Sequence, residues 1–326
     1  MFRWAEQQKK GPIYCLAPME GYTDSSYRRL VKSFSPEIIC YTEFTSADGL
    51  KYGSSKSFEK ISFTPEEVPL IVQVFGKEVK HFVEIAPIIE QMGAAAIDIN
   101  MGCPSKKVTN SCHGSALFRC PDLAQEIVYH MSRATNLDVS AKIRLGYEQY
   151  DPEKLIEFAK GLEAAGAKAI AVHGRTTAMQ YTGQAMWDPI YLVKQNVSIP
   201  VIGNGDIVSP EIAKKRLTDG VIDGIMVGRA TFGCPWFFRQ TIDYINGKEY
   251  TPPTTIAEII EVAIRQAQYS IEHKGEKVGM LEMRKHLANY IKGFPGATDF
   301  RFRLVRVETF EEMMGILQEV LAVEGE

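Results

Sequence analysis

One cysteine of this sequence stands where it could do chemistry, in the turn Gly102-Cys103-Pro104. Glycine frees the backbone before the cysteine and proline fixes φ after it, so the turn is tight and rigid. A structural cysteine usually lies inside a strand or helix, whereas a thiol on such a turn is a candidate reactive group. Because an ordinary thiol has a pKa of about 8.5, it is mostly protonated at neutral pH. The turn therefore predicts a proton donor.

The other cysteines offer less. Cys112 stands next to His113 and the two could form a nucleophile with its base, but neighbours in a chain rarely face each other. We interpret Cys15, Cys40, Cys120 and Cys234 as small buried apolar side chains. No set of cysteines and histidines has the spacing of zinc ligands, so we expect no metal.

Hydrogen-bonding side chains recur along the first two thirds of the chain, each set after a short apolar run. The sets are Pro18-Met19-Glu20, Glu43, Gln73, Asn100, Lys142 with Arg144, His173, Asn204-Gly205-Asp206, and Gly228-Arg229. One such side chain alone would cap a helix or satisfy a loop. Eight sets that converge at one edge of a sheet would line a ligand site.

Two of these segments suit a phosphate group. Gly205 and Gly228 would let backbone N–H groups approach it with no side chain in the way, and Arg229 would add positive charge. The chain has neither a P-loop nor the G-x-G-x-x-G fingerprint of dinucleotide sites. The segments therefore predict a mononucleotide such as FMN.

The elements that must position these residues are eight β-rich apolar runs, most of them separated by amphipathic segments. The runs are Ile13–Pro18, Ile38–Tyr41, Leu70–Val74, Ala96–Asn100, Val139–Ile143, Ala169–His173, Pro200–Asn204 and Gly224–Val227. The amphipathic segments include Glu78–Met92, Asp122–Ala134, Pro152–Ala165 and Pro210–Thr218. Apolar runs joined by helices indicate a buried parallel sheet. Eight units in roughly 235 residues predict the α/β class and a (β/α)8 TIM barrel, with its site at the C-terminal strand ends.

The pattern changes near Tyr250, where Thr251-Pro252-Pro253 interrupts the chain. Beyond that point helices are predicted over Ile256–His273, Val278–Lys292 and Phe302–Leu321. We predict a catalytic barrel domain over residues 1–245 and a small helical domain over residues 246–326.

The chain has 326 residues and a net charge of −3. This balance excludes capture of nucleic acid by overall charge, so any RNA binding must come from local basic patches. No window holds the ~20 apolar residues of a membrane span, and the start lacks the apolar stretch of a signal peptide. We expect a cytoplasmic monomer with no membrane partner.

Several motifs occur together over nearly the whole chain. They are Ala17-Pro18-Met19-Glu20-Gly21-Tyr22-Thr23-Asp24, Asp98-Ile99-Asn100-Met101-Gly102-Cys103-Pro104, Gly114-Ser115-Ala116-Leu117, Lys142-Ile143-Arg144-Leu145-Gly146, Val172-His173-Gly174-Arg175-Thr176 and Gly203-Asn204-Gly205-Asp206. In these motifs the sequence resembles the tRNA-dihydrouridine synthases, above all the B-type bacterial branch. The tail segments Met283-Arg284-Lys285-His286 and Lys292-Gly293 are similar to that family's helical RNA-binding domain. The resemblance departs at Asn110-Ser111-Cys112-His113, where the extra cysteine is unexplained.

The resemblance implies an enzyme that binds FMN, reduces it with NADPH and passes hydride to a uracil ring in the D-loop of tRNA. It implies FMN contacts from Pro18, Met19, Glu20, Gln73, Lys142, His173, Asn204, Gly205, Asp206, Gly228 and Arg229. It implies uracil contacts from Asn100, Arg144 and Gln184, and it puts Cys103 in the place of the general acid.

The predicted reaction adds hydride from flavin N5 to uracil C6, and Cys103 gives a proton to C5 from the opposite face. Lys142 would stabilise negative charge at the flavin N1–C2=O edge, or else form a salt bridge within the mouth. His173 would hold FMN rather than act as the acid. The target base must be turned out of the tRNA fold, and phosphate contacts must offset that cost. Candidate phosphate contacts are Lys106, Lys107, Arg284, Lys285, His286, Lys292 and Arg301.

Two other readings remain open. An FMN barrel could reduce or oxidise a free pyrimidine, as dihydroorotate and dihydropyrimidine dehydrogenases do, but a free pyrimidine needs no basic helical tail. A tRNA-binding protein could have kept the barrel and lost catalysis, but Cys103 and Lys142 are both present.

Overall fold

The computed structural model describes residues 1–104, 113–294 and 296–324. The chain forms two compact units. The first comprises residues 1–20 and 38–228, and the second comprises residues 21–37 and 229–326. These units divide the chain at other places than the predicted 1–245 and 246–326, because the segment 21–37 belongs with the C-terminal part. The assignment of one domain to catalysis and the other to tRNA stays a prediction.

The first unit is built on parallel strands. They are β1 Ile13–Leu16, β2 Ile39–Tyr41, β3 Thr45–Ser46, β4 Leu70–Phe75, β5 Ala96–Met101, β6 Asp138–Arg144, β7 Ile170–His173, β8 Val201–Asn204 and β9 Gly224–Val227. Eight of them pair in the order β2-β1-β9-β8-β7-β6-β5-β4, and β4 pairs back to β2, which closes the ring. The short β3 pairs with β4 outside this ring. The predicted (β/α)8 TIM barrel is confirmed.

Helices of the first unit connect the strands. They are Trp4–Lys9, Ala47–Lys51, Ser55–Ile61, Val79–Gln91, Pro121–Met131, Pro152–Ala165, Asp188–Asn196 and Pro210–Asp219, with 3-10 turns at Pro65–Glu67 and Gly114–Arg119. Pro152–Ala165 shows how the sequence sets their ends. The Asp151 side chain accepts hydrogen bonds from two backbone N–H groups of the first turn, and Gly166 ends the helix at a φ of 118°.

The helix Trp4–Lys9 was not predicted from the sequence. Trp4 is fully buried in a cluster with Ile13 and Ala96, which are the first residues of their strands. The Asp138 carboxylate, at the start of β6, accepts hydrogen bonds from Trp4 N at 2.9 Å and from Arg3 Nη1 at 2.6 Å. The helix therefore covers the N-terminal end of the barrel, opposite the end where the site is predicted.

The second unit is helical in its described part. Its helices are Ser25–Phe34, Phe237–Ile245, Ile256–Lys274, Glu276–Tyr290, Ala297–Leu304 and Phe310–Glu324, with a 3-10 turn at Arg229–Thr231. They share a core that includes Leu30, Ile260, Met283, Leu287 and Leu317. No helix in the described ranges is long and apolar enough to cross a bilayer.

The prediction of one helix over Phe302–Leu321 is wrong, because the chain breaks between Leu304 and Phe310. Arg284 explains the break. Its guanidinium donates to Val307 O at 2.7 Å and to Arg306 O at 3.1 Å, so two carbonyls are satisfied by a side chain instead of by a continuing helix.

Replacing Lys274 with methionine is expected to destabilise the second unit. Lys274 Nζ lies 2.7 Å from Asp24 Oδ2 and 2.5 Å from Glu282 Oε2, and the lysine and aspartate side chains are only 8% and 10% exposed. Burial alone would raise the pKa of Asp24, but the charge and hydrogen bond of Lys274 hold it well below its usual range. The substitution leaves a buried carboxylate without its cation, which typically costs 3–5 kcal/mol.

Urea unfolding followed by far-UV circular dichroism measures this loss. The matched control is Lys80→Met, since Lys80 is 82% exposed and its pair with Glu84 should be worth ~0.5 kcal/mol or less. Equal unfolding midpoints for the two variants would show that the buried pair does not stabilise the unit.

Candidate active site

The predicted site residues of the barrel lie at neighbouring strand ends. Asn100 on β5 is level with Lys142 on β6, Arg144 is level with His173 on β7, and His173 is level with Asn204 on β8. Parallel strands place all of these at the C-terminal end of the barrel. The structure thus brings the barrel residues together at one mouth, as the sequence predicted.

A chain of buried hydrogen bonds runs beneath this mouth. Gln73 Nε2 donates to Asp98 Oδ2 at 2.7 Å, and Asn100 Nδ2 donates to Gln73 Oε1 at 2.8 Å. Burial raises the pKa of the Asp98 carboxyl to about 6, against hydrogen bonds from Ser140 and Gln73 and the charge of Lys142. Asp98 is the first residue of the motif that contains Cys103, but it was not predicted as a site residue, because the sequence does not show where its side chain points.

The Cys103 turn is fixed by the end of this chain. Asn100 Oδ1 accepts hydrogen bonds from Cys103 N at 2.9 Å and Gly102 N at 3.2 Å. Cys103 O accepts from Ser115 N at 3.2 Å, which ties the turn to the 3-10 segment Gly114–Arg119. Cys103 is a half-buried reduced thiol. Its backbone is held on both sides, so the thiol has a defined position.

Lys142 is the cation of the mouth. Its Nζ donates to Asn204 Oδ1 at 3.3 Å, and Asn204 Nδ2 donates to Met226 O at 2.8 Å, so the amide orientation is set. Burial, and to a smaller extent the charge of Arg144, lower the pKa of Lys142 to about 8, while Asp98 and Cys103 act in the opposite direction. Lys142 and Cys103 are therefore close enough for their charges to influence each other.

Arg144 is buried and braces two loops. Its Nε donates to Gly102 O at 2.7 Å, and its Nη1 donates to Thr176 O at 2.9 Å and to Gln180 O at 2.8 Å. It therefore positions the Cys103 turn in addition to its predicted contact with a base. The role of base contact stays a prediction.

Tyr181 belongs to the same loop and was missed from the sequence. Its ring centroid lies 5.5 Å from Arg144 Cζ and 6.4 Å from the His173 ring, and the residue is 58% exposed. An exposed aromatic beside a buried arginine offers a surface for stacking a planar group. In the sequence, Tyr181 is an aromatic residue eight positions after His173. That spacing alone does not identify it as a site residue.

Arg175 was also missed as a site residue. Its Nη2 lies 2.6 Å from Asp206 Oδ2, and the arginine is buried. Ala185 N donates to the same carboxylate oxygen at 2.8 Å. Asp206 therefore anchors the loop that follows β7, and its φ of 51° is rare for a residue other than glycine. His173 is buried beside this pair, with a ring nitrogen 3.4 Å from Arg175 Nη1.

Two glycines after β8 and β9 are packed so closely that a Cβ would crowd its neighbours. A Cβ at Gly205, where φ is 131°, would lie 2.7 Å from Ala185 Cβ and 3.3 Å from the His173 ring. A Cβ at Gly228 would lie 3.1 Å from Met19 Sδ. Gly205 therefore requires glycine, whereas a side chain at Gly228 would require Met19 to shift. The phosphate cradle stays a prediction.

The remaining predicted contacts are more exposed. Glu20 pairs with Lys60 at 2.5 Å and its side chain is 50% exposed. Pro18 and Met19 are half-buried, and Gln184 and Arg229 are exposed, the last in the second unit. Lys106, Lys107 and Cys112 lie outside the described residues. No group of three or more cysteine, histidine or acidic residues suited to a metal ion occurs in the described part of the chain.

The predicted phosphate contacts of the second unit divide into two kinds. Lys292 is exposed, Lys285 is half-buried with its Nζ 5.5 Å from the Tyr22 ring, and Arg301 donates to Ile291 O at 3.1 Å. Arg284 is held by the carbonyls described above. His286 is buried and stacks on Tyr27, and burial lowers its pKa to about 3, so it is neutral. A buried neutral ring is poorly placed to meet a phosphate.

Comparisons with known proteins place this barrel in a family. The profile of the family described as "Dihydrouridine synthase (Dus)" matches residues 15–324. The tRNA-dihydrouridine synthase B of Pseudomonas aeruginosa is 36% identical over 307 residues, 94% of this chain and 92% of that protein. The probable tRNA-dihydrouridine synthase 1 of Synechocystis is 36% identical over 306 residues, 94% of this chain and 85% of that protein.

Solved structures show the fold alone. A 2-naphthoyl-CoA reductase matches with a TM-score of 0.56 at 12% identity over 72% of this chain, and a Rhizobium histamine dehydrogenase matches with a TM-score of 0.53 at 14% identity over 84%. The chain spans about half the length of these two proteins, 50% and 48% respectively.

The closed barrel defines a TIM-barrel protein whose polar side chains gather at the C-terminal strand ends, where such barrels bind their ligands. More particularly, the chain belongs to the dihydrouridine synthase family. Dihydrouridine differs from uridine by two hydrogen atoms at C5 and C6, so this is a family of oxidoreductases. The resemblance found in the sequence is confirmed.

Proposed function

We propose that this protein reduces a D-loop uridine of tRNA to dihydrouridine, with FMN in the barrel mouth, NADPH as reductant and Cys103 as proton donor. The observation that carries the proposal is a thiol on a braced turn near a half-buried lysine, at the mouth of the barrel. Curated relatives that match nearly the whole chain are named tRNA-dihydrouridine synthases, which supports tRNA as the substrate and the cytoplasm as the location.

The residues of the mouth fit a flavin mononucleotide. Gly205 and Gly228 carry no side chain just after β8 and β9, which suits backbone N–H groups that meet a phosphate. Arg229 follows Gly228 in sequence and would add charge. The flavin, when bound, supplies the hydride for the reaction. Lys142 would place its positive charge at the polar edge of the ring, and the half-buried Met19 would pack beside it.

The uracil would be held from the β5 and β6 side of the mouth. Asn100 and Arg144 would meet its polar edge, and the exposed ring of Tyr181 would lie against a planar face. The Cys103 thiol would give its proton to C5. Because hydrogen bonds hold the Cys103 backbone on both sides, the proton is delivered from one place and needs little rearrangement.

The tRNA backbone would be bound in part by the second unit. We retain Lys285, Lys292 and Arg301 as phosphate contacts, together with Lys106 and Lys107, which follow the Cys103 turn in sequence. Arg284 is already held by two carbonyls and His286 is buried and neutral, so we leave these two out. The contacts must offset the few kcal/mol needed to turn the base out of the tRNA fold.

Reversing the charge of Lys292 is expected to weaken tRNA binding. The variant is Lys292→Glu, at an exposed position whose loss should not disturb the fold. Losing one phosphate contact should raise Kd roughly tenfold at ~0.1 M salt and reduce the slope of log Kd against log salt by about 1. Filter binding of unmodified tRNA over a salt series measures both quantities.

The matched control is Lys154→Glu, on a barrel helix, where the lysine side chain is 72% exposed. It changes the net charge equally and should leave the salt slope unchanged. NADPH oxidation with a small-molecule electron acceptor should be equal in both variants. An unchanged salt slope for Lys292→Glu would remove this residue from the RNA surface.

The proposed function as a whole is tested with tRNA from a strain that lacks the enzyme. The purified protein should be yellow, should bleach with NADPH under anaerobic conditions, and should add 2 Da per modified uridine, by simple addition of two hydrogens. Free uracil in place of tRNA should not be reduced. A colourless protein that cannot take up flavin would contradict the proposal.

A further inference from the structure

A buried carboxylate, Asp98, lies beneath the barrel mouth and takes no part in the reaction proposed above. It is fully buried on β5, and its two oxygens accept hydrogen bonds from Ser140 Oγ at 2.6 Å and Gln73 Nε2 at 2.7 Å. Burial raises the pKa of its carboxyl to about 6, against the hydrogen bonds and the charge of Lys142, so the carboxyl is mostly ionised at neutral pH. Burying a carboxylate costs free energy, and a core of this kind could be built from apolar side chains. A carboxylate buried at this position therefore needs a functional explanation.

Hydrogen bonds lead without interruption from Asp98 to the Cys103 turn. Gln73 donates to Asp98 and accepts from Asn100 Nδ2 at 2.8 Å. Asn100 in turn accepts, through Oδ1, from Cys103 N at 2.9 Å and Gly102 N at 3.2 Å. Three hydrogen bonds in series thus join the buried carboxylate to the backbone of the candidate proton donor.

The two ends of this series fix its direction. An ionised carboxylate only accepts hydrogen bonds, and a backbone N–H only donates. Each of the two amides between them must therefore turn its nitrogen toward Asp98 and its oxygen toward the Cys103 turn. If Asn100 were reversed, its NH2 group would face Cys103 N–H, donor against donor, and the half-buried N–H groups of Gly102 and Cys103 would lose their partner.

The fixed direction also decides what the amides offer to a ligand. An amide NH2 group has two hydrogens, and the series uses one from Gln73 and one from Asn100. The remaining hydrogen of each is a donor, which suits a carbonyl oxygen of a flavin or a uracil.

We propose that Asp98 is a positioning residue, whose acceptor-only carboxylate sets the orientation of Gln73 and Asn100 and so holds the Cys103 turn in its active geometry. The inference rests on the proposed function, in which Gln73 meets the cofactor, Asn100 meets the uracil and Cys103 gives the proton. Asp98 itself touches neither ligand.

The test is Asp98→Asn, which keeps the size of the side chain and removes the acceptor-only end. The position of the turn is read in the flavin-free protein by hydrogen exchange at Gly102 and Cys103, which should become roughly tenfold faster as one hydrogen bond weakens. Dihydrouridine formation should fall on the order of 10²-fold, the usual effect of a misplaced reacting group, in kcat rather than in KM. NADPH oxidation with a small-molecule acceptor should fall less than dihydrouridine formation, because Gln73 meets the cofactor but only Asn100 holds the Cys103 turn.

Two further variants separate positioning from loss of packing. Ser140→Ala removes the other hydrogen bond to Asp98 but leaves the carboxylate, and should retain exchange and activity within about tenfold of the original protein. Position 140 lies opposite position 98 in the paired strands. In Asp98→Asn/Ser140→Asp, the carboxylate at 140 would accept from the amide at 98 and turn its oxygen toward Gln73. This double variant should recover slow exchange and most of the activity.

Each result decides the matter. Slow exchange and full activity in Asp98→Asn would overturn the proposal, as would an equal loss in Ser140→Ala. If Asp98→Asn fails to fold, the double variant decides, since a folded double variant with fast exchange at Cys103 would overturn the proposal. If the unaltered protein makes no dihydrouridine, the proposed function fails, but the exchange measurements still show whether Asp98 orders the turn.

Discussion

Replacing Cys103 with alanine is expected to leave FMN bound and reducible by NADPH while dihydrouridine formation falls by about 10²–10⁴-fold, the usual contribution of a positioned general acid. Cys103 is half-buried, and its backbone is held by Asn100 Oδ1 and Ser115 N. These are main-chain contacts that alanine keeps, so the turn should survive and only the proton donor is lost. Stopped-flow absorbance of the flavin with NADPH, followed by mass spectrometry of tRNA, measures the two halves separately.

The matched control for this variant is Cys120→Ala. Cys120 is also half-buried, but it precedes the helix Pro121–Met131 and lies outside the predicted site. Both half-reactions should be close to those of the original protein. Full dihydrouridine formation in Cys103→Ala would remove this thiol from the mechanism.

Replacing Lys142 with methionine should slow the reduction of FMN by NADPH by about 10²–10³-fold, as loss of a preorganised electrostatic contact does. Lys142 is half-buried and donates to Asn204 Oδ1 at 3.3 Å. Methionine keeps the length of the side chain and removes the charge together with the hydrogen bond to Asn204. The rate of flavin bleaching at saturating NADPH measures the effect, and its pH dependence gives a second signature.

The pH signature follows from the lowered pKa of Lys142, about 8 instead of 10.5, caused first by burial. Below about pH 8 the lysine is charged, so the rate should be high, and it should fall as pH rises through 8. Folding stability should change in the opposite direction. Between pH 8 and 10.5 the unfolded chain binds the proton and the native chain does not, so this lysine adds stability as pH rises, up to about 3 kcal/mol.

Lys142→Met should abolish both trends, leaving a flatter rate profile and a flatter stability profile over this pH range. The flavin-free protein is used for the stability measurement, because a bound ligand would itself shift the lysine. A methionine variant that keeps the fall in rate above pH 8 would assign that fall to another group.

The barrel was predictable because its parallel strands are short, largely apolar runs, most of them separated by amphipathic segments. The predicted Ala96–Asn100 and the observed Ala96–Met101 differ by one residue, and Gly224–Val227 is identical in both. The helix Pro152–Ala165 was predicted at its observed bounds because Asp151, Pro152 and Gly166 mark its ends locally. Such features are decided by neighbours in sequence.

Features that depend on distant residues were not predictable. The six-residue helix Trp4–Lys9 is too short for a periodic pattern. Trp4 is held by packing at the N-terminal end of the barrel and by the hydrogen bond from its backbone N–H to Asp138. The helix Ser25–Phe34 joins the C-terminal core through Leu30, although its sequence looks like that of any barrel helix. The break after Leu304 depends on Arg284, some twenty residues earlier.

Among the site residues too, some were identified from local sequence features and others depend on contacts between distant residues. Residue type and position at a strand end identified Asn100, Lys142, His173 and Asn204 as neighbours. Sequence did not show that Arg175 pairs with Asp206 or that Arg144 braces the Cys103 turn, since these contacts join separate loops. The orientation of the Gln73 and Asn100 amides is a property of the whole hydrogen-bonded series, which only coordinates reveal.

The proposed reduction of a tRNA uridine is tested most directly by a single turnover without oxygen. The enzyme is reduced with one equivalent of NADPH, freed of nucleotide and mixed with tRNA that lacks dihydrouridine. Flavin colour should return at the rate at which dihydrouridine appears, with one dihydrouridine for each flavin oxidised. Free uracil should leave the flavin reduced. A flavin that stays reduced with tRNA but is oxidised by a free pyrimidine would contradict the proposed function.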